Sequence, residues 1–134
     1  MLNENILFFD KHFIINITNN EFIVRLRKDI NTRERLFMNL FYSCWFPFYF
    51  GHNWDALNDV LGCIDYIEED CMLIIHEELP KISDIETYIR ILYYASTHQA
   101  SDKKLKVAFS EKDRELVMLA IEKEKKALEN AIEW

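Results

Sequence analysis

Asp55 and Asp59 stand four residues apart in the stretch Trp-Asp-Ala-Leu-Asn-Asp-Val-Leu-Gly, residues 54–62, which contains no lysine or arginine. On a helix those two carboxylates are neighbours, and the like charges cost roughly 0.2–0.5 kcal/mol. Two kinds of chemistry could justify the arrangement. With His52 the pair could hold a divalent cation for a hydrolytic step. Without a metal, it could offer an anionic face to a basic partner. Three ligands of this type in one short segment fall short of the convergent sets that metals use. The other histidines, His12, His76 and His98, are scattered, and no nucleophile elbow, phosphate-binding loop or Cys–His pair is present. We therefore expect no catalytic residues, no metal and no cofactor, and take the protein to be a non-enzyme. The plain alternative is that the acidic face serves solubility alone.

The carboxylates gain meaning from the segment that must carry them. Asn53 is a good N-cap, and Trp54, Leu57, Val60 and Leu61 recur at helical spacing, so a helix over residues 54–61 is predicted. Asp55, Asn58, Asp59 and Gly62 then share its opposite side. Asp55 lies in the first turn, where the helix dipole favours an anion by about 0.3–1 kcal/mol. Asp59 lies beyond that support and has no local counter-ion. Gly51 supplies the turn before the helix and Gly62 suits its end.

Around this segment the chain reads as alternating strands and helices. Residues 12–17 and 21–26 are apolar and β-branched, with Thr18-Asn19-Asn20 between them, which predicts a β-hairpin. Helical spacing marks residues 32–44. Residues 71–76, Cys-Met-Leu-Ile-Ile-His, form a continuous apolar run of the kind buried in parallel sheets. Ser83 and Glu86 match a capping box for a helix over residues 83–98. A strand follows over 105–110, then a long helix over 111–134 with Val117, Ala120, Ile121, Leu128, Ala131 and Ile132 as its stripe and Glu124 interrupting it. The fold class is α/β: a small parallel sheet with crossover helices, an extra N-terminal hairpin strand and a C-terminal helix that packs on its own chain.

The 134 residues suit one domain, and half of them are hydrophobic, enough for a substantial core. The net charge is -7, and residues 52–86 hold ten carboxylates against one cation, Lys81. Such a field repels nucleic acid and membrane headgroups and attracts basic proteins. Cys44, Cys63 and Cys71 show neither disulfide nor zinc spacing and read as buried reduced thiols. The N-terminal segment lacks the cations of a signal peptide, and no apolar run approaches membrane length. A cytoplasmic monomer is expected.

The stretch Phe-Pro-Phe-Tyr-Phe-Gly-His-Asn-Trp-Asp-Ala-Leu-Asn-Asp-Val-Leu-Gly, residues 46–62, resembles the central motif of the barstar family, the intracellular inhibitors of barnase-type ribonucleases. In that motif a tyrosine pair and a glycine lead into an Asn-x-Asp-Ala-Leu-x-Asp helix. Tyr49, Phe50, Gly51, Asn53, Asp55, Ala56, Leu57 and Asp59 hold those positions here. The resemblance implies a single barstar-like domain over 1–134, with a core of about 20–110 and extensions at 1–19 and 111–134. It also implies an immunity or antitoxin protein whose helix and preceding loop enter a nuclease active site. Asp59 would take the place of an RNA phosphate, with Tyr49, Gly51, Asn53, Asp55, Asn58 and Gly62 beside it. The chain departs from the family at Asn58, where a tryptophan is usual, at Gly62-Cys63-Ile64, where Thr-Gly-Trp is usual, and at Phe50. A further acidic contact of the family aligns with either Thr97 or Asp102. The expected partner is a basic toxin, most simply a ribonuclease. The alternative is a binding module of the same fold that engages a non-nuclease partner through another surface, such as the C-terminal helix.

Overall fold

The computed structural model describes residues 4–10 and 20–132. In chain order the elements are β1 (Ile6–Phe9), β2 (Glu21–Arg25), α1 (Arg33–Ser43), α2 (Trp54–Gly62), β3 (Cys71–His76), α3 (Ile85–Thr97), β4 (Lys104–Ser110) and α4 (Arg114–Ile132), with a single 3-10 turn at Glu111–Asp113 leading into α4. The strands form one sheet in the order β1-β4-β3-β2, and each neighbouring pair is parallel. Register is fixed by pairings such as Val24 with Ile74 and Ile74 with Val107.

Parallel sheets form when both faces are covered. The central strand β3 is buried along its whole length, as its uninterrupted apolar run predicts. Its side chains alternate between two clusters. Met72 and Ile74 join the main core, which also takes the buried faces of all four helices, while Leu73 and Ile75 join a smaller cluster with Ala108, Leu7, Phe9 and Ile23. Helices α2 and α3 pack against each other, and α4 packs on α3. Val117, Ala120 and Ile121 of α4 are fully buried there. Glu124, which breaks the apolar stripe, pairs with Arg90 at 3.2 Å, and Lys123 pairs with Glu86 at 2.7 Å. Beyond this point the stripe loses its cover: Leu128 is half-buried and Ala131 exposed.

The structure departs from the sequence reading in several places. The first strand of the expected hairpin, residues 12–17, lies outside the described residues. Residues 21–25 do form a strand, but β2 pairs in parallel with β3. An additional strand, β1, runs parallel to β4 at the opposite edge, where its four-residue apolar run gains meaning from Val107 and Phe109 across the ladder. Helix α3 starts at Ile85, and the Ser83–Glu86 capping box is not formed. The cap position belongs to Asp84, whose carboxylate accepts from the Trp54 indole Nε1 at 2.9 Å and faces Arg33 at 3.4 Å instead of capping its own helix. Cys44 and Cys71 are buried reduced thiols, but Cys63, in the extended segment after α2, is exposed. Its Sγ donates to Asp65 Oδ2 at 3.2 Å.

Candidate functional site

Helix α2 begins as its sequence dictates. The Asn53 side-chain oxygen accepts from Ala56 N at 2.8 Å, while its amide nitrogen donates to Gly51 O at 3.2 Å. Both polar ends of Asn53 are therefore engaged in building the turn. A Cβ on Gly51 would sit 3.3 Å from the Asn53 amide nitrogen, a tight approach that would press on the capping side chain. The left-handed residue of this turn is His52, with φ 53°, and not Gly51. His52 reaches that conformation with its ring against Phe50 and Phe41, at centroid distances of 4.9 and 5.4 Å. Removing the cap by Asn53→Ala should cost about 1 kcal/mol of stability, read as a lower urea midpoint.

The buried side of the helix is anchored at several points. Leu57, Val60 and Leu61 enter the core. Trp54 packs edge-on against Phe37 at 4.9 Å and holds Asp84 through its indole. The C-terminal end has no glycine cap of its own, since Cys63 is extended. Its free carbonyls are taken by the segment after α3 instead. Gln99 Nε2 donates to Leu61 O at 2.9 Å, Ala100 N donates to Gly62 O at 2.8 Å, and Gln99 Oε1 accepts from Ile64 N at 2.9 Å. The Tyr66 hydroxyl donates to Val60 O at 2.7 Å, and burial raises its pKa. The helix is thus fixed at both ends before any partner arrives.

On the outer side, Asp55, Asn58 and Asp59 are all exposed. Every ion pair among the described residues lies elsewhere, and neither Asp55 nor Asp59 takes part in one. The loop between α1 and α2 stands beside them. Phe50 is its buried anchor, packed on Phe46 at 5.0 Å, whereas Phe48 and Tyr49 are 91% and 73% exposed. Tyr49 and Asp59 border an open depression of about 460 Å³, completed by Pro47, Val60, Cys63, Asp65 and Tyr66. Gly62 is half-buried at the helix end. The Thr97 hydroxyl donates within α3, to the carbonyl of Tyr93 at 3.0 Å or of Tyr94 at 3.1 Å, while Asp102 is exposed in the following turn. Among the described residues, no three His, Cys, Asp or Glu side chains converge as a metal site requires.

The arrangement is a rigid anionic ridge with an aromatic shoulder. Its two carboxylates can accept paired hydrogen bonds from guanidinium groups, as phosphate does. Gln99, Tyr66 and Asp65 were not anticipated. Gln99 reaches Leu61 and Ile64 across more than thirty residues, Tyr66 reaches back across a turn to Val60, and Asp65 takes only the thiol of nearby Cys63, so no helical or strand spacing announces them.

No curated protein matches the chain. A family model described as Barstar (barnase inhibitor) matches residues 21–110, from the start of β2 to the end of β4. That match spans the whole frame of β2, α1, α2, β3, α3 and β4 that holds the acidic ridge, and the chain belongs to the barstar family.

Proposed function

We propose that this protein is an immunity-type inhibitor that binds a basic protein toxin, a ribonuclease, and occludes its phosphate-binding cleft with α2 and the preceding loop. One observation carries the reading. Asp55 and Asp59 are exposed on a helix fixed at both ends, and neither enters an ion pair among the described residues. A nuclease cleft must be basic to hold RNA phosphates. Carboxylates carried on a backbone that is already ordered enter such a cleft at a lower entropy cost than those of a segment that must fold on binding. Their field also steers the encounter and favours partners of opposite charge. In this role Asp59 is the central contact, with Asp55, Asn58 and Tyr49 around it, while Gly51, Asn53 and Gly62 border the contact at the two ends of the helix. The protein acts as a cytoplasmic monomer and performs no catalytic step of its own.

A second reading has its own observation. Leu116 and Leu119 are exposed on the outer side of α4, beyond the segment matched by the family. A partner bound there would leave the α2 face free.

Both are tested by capture from the source cells, with the wild type and an Asp55→Ala/Asp59→Ala variant as baits. Circular dichroism checks that the variant is folded. A basic ribonuclease held only by the wild type, and inhibited by it in an RNA-cleavage assay, is the expected result. The same partner on both baits would move the interface off α2 and favour α4.

A further inference from the structure

A second depression lies on the far side of Tyr66. Its volume is about 290 Å³, and Phe22, Trp45, Tyr66, Ile67, Glu68 and Glu69 line it. Tyr66 also lines the depression that holds Asp59, so the two share one wall. Trp45 is 74% exposed. It follows the last residue of α1 and its cap, Cys44, and adopts φ 59°. Helices often end with one residue in that left-handed region, but glycine takes it freely and a bulky side chain does not. The chain thus holds a large ring in an unfavourable backbone conformation without burying it. The Glu68 and Glu69 carboxylates make no hydrogen bond or ion pair among the described residues. The nearby Lys103 ammonium is committed to their backbone carbonyls, at 3.4 and 2.7 Å.

A tryptophan, a tyrosine and two glutamates bordering one opening suit a guanidinium group. Guanidinium is planar, weakly hydrated, stacks on aromatic rings and bonds carboxylates in pairs. We propose that this second depression receives an arginine side chain of the basic partner, so that the contact continues from Asp59 across Tyr66 to Trp45, Glu68 and Glu69. The inference rests on the reading of the partner as a basic protein. It adds a site that the acidic face of α2 does not supply.

The test uses the full chain, labelled with nitrogen-15, and a blocked tri-arginine peptide as probe. The Trp45 indole N–H resonance should shift saturably, and about threefold or more tighter for tri-arginine than for tri-lysine, because an ammonium cannot stack. Glu68→Gln/Glu69→Gln should abolish the shift. Trp45→Gly should weaken peptide binding yet raise the urea midpoint, a combination that a purely structural tryptophan would not give. Shifts confined to α2 would overturn the proposal and leave the α2 reading standing. Shifts at Trp45 with none on α2 would sustain the arginine site but overturn its continuity with Asp59. Equal or unsaturable responses to both peptides would reduce the effect to charge screening and overturn the proposal.

Discussion

Asp59→Lys should weaken binding to the basic partner by two orders of magnitude or more. Leaving one member of a desolvated ion pair without its partner costs about 3–5 kcal/mol, and 1.4 kcal/mol is a factor of ten in affinity. The lysine adds repulsion from the partner's own cations. The free protein should respond in the opposite sense. Asp59 is exposed and one turn from Asp55, so the substitution replaces a like-charge neighbour pair with an attractive one of favourable polarity. Stability should therefore hold or rise slightly. The check is a pair of measurements: a Kd by calorimetry, and a urea midpoint on the free chain. Wild-type affinity in the variant would refute occlusion through α2. A parallel fall in stability would mean that the lost affinity reflects damage to the helix and not a missing contact.

The second large effect concerns acid and involves no partner. His76 is fully buried at the end of β3. Its Nδ1 lies 3.1 Å from Ala108 O, and a carbonyl can only accept, so Nδ1 carries the proton. Nε2 then accepts from the Tyr88 hydroxyl at 2.7 Å. The ring is satisfied only when neutral. A second proton would turn Nε2 into a donor facing Tyr88, and the hydroxyl hydrogen would lose its acceptor. Burial lowers the His76 pKa to about 4, offset in part by the bond to Ala108.

The sign follows from linkage. Above pH 6.5 neither the folded nor the unfolded chain protonates this ring, and the full stability is present. Between pH 6.5 and about 4 the unfolded chain takes a proton that the folded chain refuses, so stability falls as pH falls. At about 1.4 kcal/mol per pH unit the loss comes to about 3 kcal/mol by pH 4. Urea midpoints measured at half-unit steps from pH 7 to pH 4.5 should decline accordingly. A His76→Phe/Tyr88→Phe variant, which removes the polar pair together, should flatten the decline in that window. An unchanged decline in the variant would assign the acid sensitivity to other groups.

Helix α2 was legible in the sequence almost to the residue. Its cap, its apolar period and its acidic face are all encoded within a few residues, where local geometry decides the outcome. Strand β3 was legible for a similar reason, since an uninterrupted apolar run of strand length fits a buried parallel strand. The start of α3 was not. Ser83 and Glu86 satisfy the local rule, but the helix begins at Ile85, where the Asp84 carboxylate serves Trp54 and Arg33 across the fold. Trp45 and His52 were also hidden, because nothing in either side chain announces a left-handed backbone.

Taken alone, the sequence determined the alternation of elements, the acidic polarity of α2 and, through the motif at residues 46–62, the family resemblance. These depend on neighbours within one or two turns of chain. Only the tertiary structure decided how the site is held and how far it extends. Gln99 caps α2 from 38 residues away, Tyr66 separates two depressions, and β1 finds its place beside β4. Those relations depend on which distant groups remain unsatisfied once the core has closed, and a carbonyl at a helix end takes whatever donor the fold delivers to it.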